Sequence, residues 1–211
     1  MKQLKRISEV AIVVLFLLTL AITLTINSKW LYLIDINSLD IMDYLDVTRS
    51  ELVKNYEQLM NYLNFFWINP LKMTDFPVSE SGALHFYEVK RLFQINYAVL
   101  IISIAPSFMI LKNRFKTGRL WLFIRPFSYL LAGLIALIIF MAAAFDTFFV
   151  KFHEVFFNND AWVFNPVTDP IILALPEEYF MHCFILFFVL FIGFLCLVIL
   201  LGKNQLKKLQ K

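Results

Sequence analysis

A chain of 211 residues that is 60% hydrophobic and only 17% charged, with a mean hydropathy of +0.72, is too apolar for a soluble domain of its length and reads as an integral membrane protein. Its formal charge of +3 is not the signature of a nucleic-acid binder, because the charges are segregated along the chain. Twelve of the 19 basic residues flank apolar stretches with one acid, Glu9, for a net +11, while the other seven lie among 15 acids, for a net −8.

A hydrocarbon core about 30 Å thick takes about 20 apolar residues at roughly 1.5 Å each. Four stretches meet that length, 10–26, 93–111, 127–149 and 180–201. Lipid cannot satisfy backbone polar groups, so the spans must be helices. The expected fold class is an all-α integral membrane protein, four transmembrane helices with an extracellular cap formed by two loops, 27–92 and 150–179, and a short cytoplasmic loop over 112–126. Lys2, Lys5 and Arg6, then Lys112, Arg114, Lys116, Arg119 and Arg125, then Lys203, Lys207, Lys208 and Lys211 put both termini and that short loop in the cytoplasm.

In chain order, the first span has the basic start of a secretory signal, but its apolar run is long and no small-x-small site precedes Asn27, so an uncleaved anchor is expected. Thr48-Arg49-Ser50-Glu51 has capping-box spacing ahead of Leu52, Tyr56, Leu59, Met60 and Leu63, which predicts a helix from about Arg49 to Phe66, ended before Pro70. Residues 71–78, with Pro77, should be extended, and Ser79 should cap a helix running through His85 into the second span. The third span is expected to overshoot the bilayer through a phenylalanine-rich segment, with Asp146 and His153 seven residues apart on one face. Asn158-Asn159-Asp160 should end it, and 162–175, with Pro166 and Pro170, should return irregularly along the membrane surface.

The chain's three histidines, His85, His153 and His182, fall at one predicted side of this bundle. An imidazole titrates near neutral pH, so the clustering points to proton handling there. Helical spacing puts His85 and Glu88 on neighbouring positions of one face, a pairing that would orient the ring; the same segment also reads as a solvated amphipathic helix entry. His153 and Glu154 interrupt a run of aromatics, and His153 also reads as an interfacial residue of an aromatic belt. His182, beside Cys183 at the start of the fourth span, suits a packing or interfacial role. Asp146 is an acid near the end of a span, a functional candidate by its position. Cys183 and Cys196 are 13 residues apart, about 20 Å along a helix, and cannot pair with each other.

Other chemistries lack their motifs. His153-Glu154 begins like a zinc-protease H-E-x-x-H, but residue 157 is Phe. No G-x-S-x-G elbow or phosphate-binding glycine loop is present, so neither a nucleophilic serine nor a nucleotide is expected. A metal site from His85, His153, Glu88 and Glu154 has no ligand spacing within either segment. The 24 phenylalanines concentrate toward the outer face, and those beyond a membrane belt would line an apolar pocket suited to acyl chains.

The segments Ser79-Glu80 through His85-Phe86-Tyr87-Glu88-Val89-Lys90 and Phe152-His153-Glu154-Val155-Phe156-Phe157, followed by Trp162, Asn165-Pro166, Asp169-Pro170 and Pro176, resemble the bacterial lipoprotein intramolecular transacylase family over nearly the whole chain. That resemblance implies a bacterial plasma-membrane acyltransferase. Its substrate would be a diacylglyceryl-cysteine lipoprotein, which moves its own sn-2 acyl chain to its N-terminal α-amine to give a lyso-form lipoprotein. It implies His85 and His153 as the catalytic pair; the chemistry of a protonated amine attacking an ester then suits His85 as base and His153 as donor to the oxyanion and leaving group, an order open to reversal. No cofactor, metal, nucleotide or nucleic acid is implied, and the partners are the diacylated lipoprotein and membrane lipid. Tyr87, Glu88, Lys90, Trp162, Phe156 and Phe157 are expected to touch substrate, with Asp146 and Glu80 supporting the histidines from behind. A metal-dependent membrane hydrolase and a non-enzymatic membrane sensor or partner subunit are the alternatives, distinguished by chelator sensitivity and by the tolerance of both histidines to replacement.

Overall fold

The computed structural model describes residues 2–209. Among these residues the regular structure is entirely helical: α1 (Lys2–Ile26), α2 (Lys29–Ser38), α3 (Arg49–Asn64), α4 (Glu80–Lys116), α5 (Ile124–Ala143), α6 (Phe145–Phe156), α7 (Ile171–Ala174) and α8 (Glu177–Leu209), with short 3-10 turns at Ile41–Tyr44 and Leu120–Phe123. Four stretches are long and apolar enough to cross a membrane, Gln3–Ile26, Glu80–Lys116, Leu120–Ala143 and Glu177–Leu209. The third stretch, containing α5, differs from the expected continuous run over 127–149. It ends at Ala143, Ala144 leaves helical geometry at φ −154° and ψ 67°, and α6 starts afresh with Asp146 in its first turn. A carboxylate is stabilised beside the free N–H groups of a helix start, so the acid marks a new N-terminus.

The chain forms two compact units. The first draws on the chain up to Asn27, on Asn96–Ala143 and on the chain from Ile185 onward. Its interior is apolar, with Val13, Leu17, Phe123, Phe127, Phe191 and Leu195 among the buried side chains. Hydrocarbon supplies no hydrophobic drive between helices, so the few polar contacts carry weight. Ser107 donates to the Ile12 carbonyl at 3.2 Å, and Asn96 donates to Thr23 at 2.8 Å. Arg114 grips the Glu9 carboxylate through Nε and Nη2 at 2.9 and 2.5 Å. Gly202 lets α8 pass close to the Leu120 carbonyl, where an added Cβ would stand 3.1 Å from the oxygen.

The second unit, Ser28–Ile95 with Ala144–Phe184, is built around tyrosines. Tyr32 stacks on Tyr56 at 3.9 Å between ring centroids, and Tyr179 meets Tyr32 edge-on at 5.3 Å. Their hydroxyls are satisfied inside the core, Tyr32 by the Ala174 carbonyl at 3.0 Å and Tyr56 by Tyr179 at 3.1 Å. Aromatic pairs of this kind contribute about 0.5–1.5 kcal/mol each beyond burial. The capping box forms as the sequence predicts: the Glu51 N–H reaches the Thr48 hydroxyl and the Glu51 carboxylate accepts from the Thr48 N–H. The helix ends at Asn64, two residues earlier than expected. Thr48→Ala should lower stability by about 1 kcal/mol, a loss measurable as a lower melting temperature in detergent. The chain after α3 has no regular structure, so α3's amide side chains take over its pairing. Asn55 exchanges hydrogen bonds with the Asp75 carboxylate and N–H at 2.6 and 2.9 Å, and Gln58 does the same with Thr74 at 2.7 and 2.9 Å.

Candidate active site

The N-terminus of α4 is fixed from two sides. Ser79 caps it, its hydroxyl accepting from the Gly82 N–H at 3.0 Å. The Ser79 N–H in turn donates to Asp169 Oδ1 at 2.7 Å, and the Thr168 hydroxyl donates to Asp169 Oδ2 at 2.7 Å. Gly82 makes this approach possible, since a Cβ there would lie 2.3 Å from Asp169 Oδ1. The chain before Asp169 is thereby held over α4, with Phe164 stacked on Phe86 at 5.4 Å and edge-on to His85 at 5.4 Å.

His85, one turn beyond Gly82, is only 6% exposed. Phe157 closes on it edge-first at 4.7 Å, and the His153 ring lies 5.8 Å away. His153 stands near the end of α6, stacked on Trp162 at 4.7 Å and packed on Phe149 at 4.3 Å. Its Nδ1 lies 2.8 Å from the Phe149 carbonyl. A carbonyl oxygen only accepts, so Nδ1 carries the proton, and in the neutral ring the lone pair is at Nε2. Burial pushes the His153 imidazole below its ordinary value of about 6.5, and the Phe149 hydrogen bond opposes this only in part. Both the direction of the shift and its cause favour the neutral ring. An NMR titration should find His153 protonating below pH 6.5, its resonance assigned by loss in His153→Gln. Because the folded value is the depressed one, this group's stabilising contribution is complete above about pH 6.5 and is lost as pH falls through the folded value.

Two imidazoles with ring centroids 5.8 Å apart in an aromatic enclosure, one with its tautomer fixed, have the chemistry an acid–base pair requires. The other predicted site residues divide. Trp162 and Phe157 contact the pair directly, and Phe157 is almost fully buried. Phe156 is half-exposed and packs on Phe152 at 4.7 Å. The expected pairing of Glu88 with His85 does not form: Glu88 Oε1 accepts from Asn159 at 2.9 Å, and His85 Nδ1 is buried without a partner. Lys90 is spent on structure, its ammonium 4.2 Å above the Tyr62 ring and donating to the Ile68 carbonyl at 2.5 Å. Tyr87 and Glu80 are exposed on α4. Asp146 lies two turns before His153, its carboxyl facing that of Glu177. His182 is taken up by the buried Asp35, Nδ1 lying 2.9 Å from both carboxylate oxygens.

Asn159 and Asp169 are parts of the site that no local sequence pattern marks as such, whereas Phe164 is one of the outer-face aromatics expected around a pocket. Gly82, one turn ahead of His85, is the only local trace of the close approach by Asp169. Among the described residues, no three His, Cys, Asp or Glu side chains are grouped to hold a metal ion.

The family model of the lipoprotein intramolecular transacylase Lit matches residues 7–180. Three solved structures, all of this transacylase from Bacillus cereus at 30% sequence identity, also match. One superposes with a TM-score of 0.91 over 99% of this chain and 97% of the other. The other two, carrying an H85R and an H85A mutation, each give 0.83 over 99% of this chain and 93% and 94% of theirs. No curated protein matches the chain. With a family match over most of its length and a whole-chain structural likeness to a membrane-integral enzyme, the chain belongs to the lipoprotein intramolecular transacylase family.

Proposed function

We propose that the chain moves the sn-2 acyl group of a diacylglyceryl-cysteine lipoprotein onto the α-amine of the same molecule's N-terminal cysteine, leaving a lyso-form lipoprotein. The observation that carries this reading is the pairing of His153, whose Nε2 lone pair is free of the Phe149 bond, with His85 at 5.8 Å inside an aromatic enclosure. A substrate α-amine with an ordinary value of about 7.7–8.0 arrives mostly protonated and must lose that proton before it attacks. His153 Nε2 accepts it. The amine nitrogen then bonds to the ester carbonyl carbon, and His85 stabilises the oxyanion. The nitrogen loses a further proton as the C–N bond forms, and the glyceryl oxygen gains one as the C–O bond breaks. Of the two protons the nitrogen loses, the first is released from His153 to solvent and the second ends on the glyceryl oxygen, so from the free amine onward the transfer is proton-neutral and the pair has one proton to pass across.

Because nucleophile and ester belong to one molecule, the enzyme's larger task is to fold the lipid head so that they meet. Orientation alone is worth up to about 7–11 kcal/mol in favourable cases. Phe157, Phe164 and Trp162 around the pair would impose that fold while keeping water from the intermediate. In this reading the second unit is a cap at the outer face of the bacterial plasma membrane, both termini are cytoplasmic, and neither a cofactor nor a metal takes part.

The test is mass spectrometry of a diacylglyceryl-cysteinyl lipopeptide after incubation with the purified protein, with chelator and without added cofactor. The expected product has unchanged mass and one acyl chain on nitrogen. Release of a fatty acid, or loss of turnover on chelation, would favour a metal-dependent hydrolase instead.

A further inference from the structure

Glu88 sits one turn after His85 on the same face of α4, and its carboxyl group is half used. Asn159 holds Oε1, donating from Nδ2 at 2.9 Å. The amide cannot turn round, because its own Oδ1 accepts from the Ala161 N–H at 3.0 Å. Glu88 Oε2 is buried and has no partner, and neither has His85 Nδ1. Two orphaned polar atoms on one face, one of them a carboxyl oxygen, are costly unless a donor arrives to meet them. The lysine on α4 nearest to Glu88, Lys90, is bound to Ile68 and Tyr62, and Lys151 of α6 pairs with Glu154 at 2.6 Å. Neither serves this oxygen.

We propose that Glu88 Oε2 is the subsite for the α-ammonium of the substrate's N-terminal cysteine, holding it beside the histidine pair before it is deprotonated. The inference rests on the substrate reading above and adds to it the group that recognises the nucleophile. An ammonium has three N–H donors. One meets Glu88 Oε2, which leaves another for an imidazole nitrogen. Glu88 takes no proton in this scheme. It positions the nitrogen and selects substrates whose amine is free, since an N-acylated product carries no ammonium and is released. Asn159 is then the residue that aims the carboxylate.

The test uses a dialkylglyceryl-cysteinyl peptide, whose ether links cannot transfer, and its desamino counterpart, which lacks the α-ammonium. Binding of both is measured by calorimetry to the full protein in nanodiscs. Wild type should prefer the ammonium form about tenfold, the scale of one charge-assisted hydrogen bond. Glu88→Gln should bind the two equally while keeping its affinity for the desamino form, and Glu88→Asp, which keeps the charge but withdraws it, should fall between. An undiminished preference in Glu88→Gln, or in Glu88→Asp if the Gln variant does not fold, would overturn this inference and leave the substrate reading standing. Failure of wild type to bind either probe would overturn both.

Discussion

His153→Asn and His85→Asn should each lower acyl transfer by about 10²–10⁴-fold, the range ordinarily lost with a positioned acid or base, while the protein remains folded. His153→Asn removes the Nε2 lone pair, while the asparagine N–H stands in place of Nδ1 and keeps a donor for the Phe149 carbonyl, a bond worth about 1 kcal/mol to stability. The melting temperature in detergent should therefore fall only slightly. The double variant is the sharper measurement. If the two rings pass one proton between them, removing either breaks the same relay, and the double variant should be little slower than the worse single one. Independent roles would instead multiply the two losses.

The second large effect is on stability and centres on Asp169. This carboxylate is 1% exposed and accepts from the Ser79 N–H and the Thr168 hydroxyl. Asp169→Ala removes both charge-assisted hydrogen bonds and leaves the Ser79 N–H without its acceptor, at a combined cost of about 2–4 kcal/mol. Activity should fall with it, because Phe164 is no longer held against His85. Burial alone would raise the Asp169 carboxyl, but the hydrogen bonds from Ser79 and Thr168 outweigh it and hold the group below its ordinary value. With the folded value depressed, the stabilisation is complete above about pH 4, the unfolded value, and is lost as pH falls through the folded one. Thermal melts should thus lose this acid-sensitive component in Asp169→Asn. Gly82→Ala should reproduce much of the damage, since its Cβ would collide with Asp169 Oδ1.

Much of this arrangement is local and could be read from the chain. The capping box at Thr48 and Glu51, the Ser79 cap and the apolar runs all depend on residues within a few positions of one another. His153 stands out in the sequence as a polar break in an aromatic segment, and His85 by its place at the helical entry to the second span. What could not be read was which side chain meets which partner far along the chain. His182 finds Asp35 147 residues away, and Asp169 reaches Ser79 across 90. Glu88 is taken by Asn159, 71 positions on, although helical spacing favoured its neighbour His85. The break at Ala144 was hidden for a different reason. The phenylalanines of α6 extend the apolar composition of α5, and only the first-turn Asp146 hints that one helix has ended and another begun.

In the proposed reaction the second unit folds a single lipid head so that its own amine meets its own ester. The most direct test is turnover of an equimolar mixture of two diacylglyceryl-cysteinyl lipopeptides that differ in peptide sequence, one of them with deuterated acyl chains. Mass spectrometry of the products should find every deuterated N-acyl group on the peptide that carried it and none on the other. Label distributed between the two peptides would mean transfer between molecules or through a free acyl-enzyme, and would contradict the account.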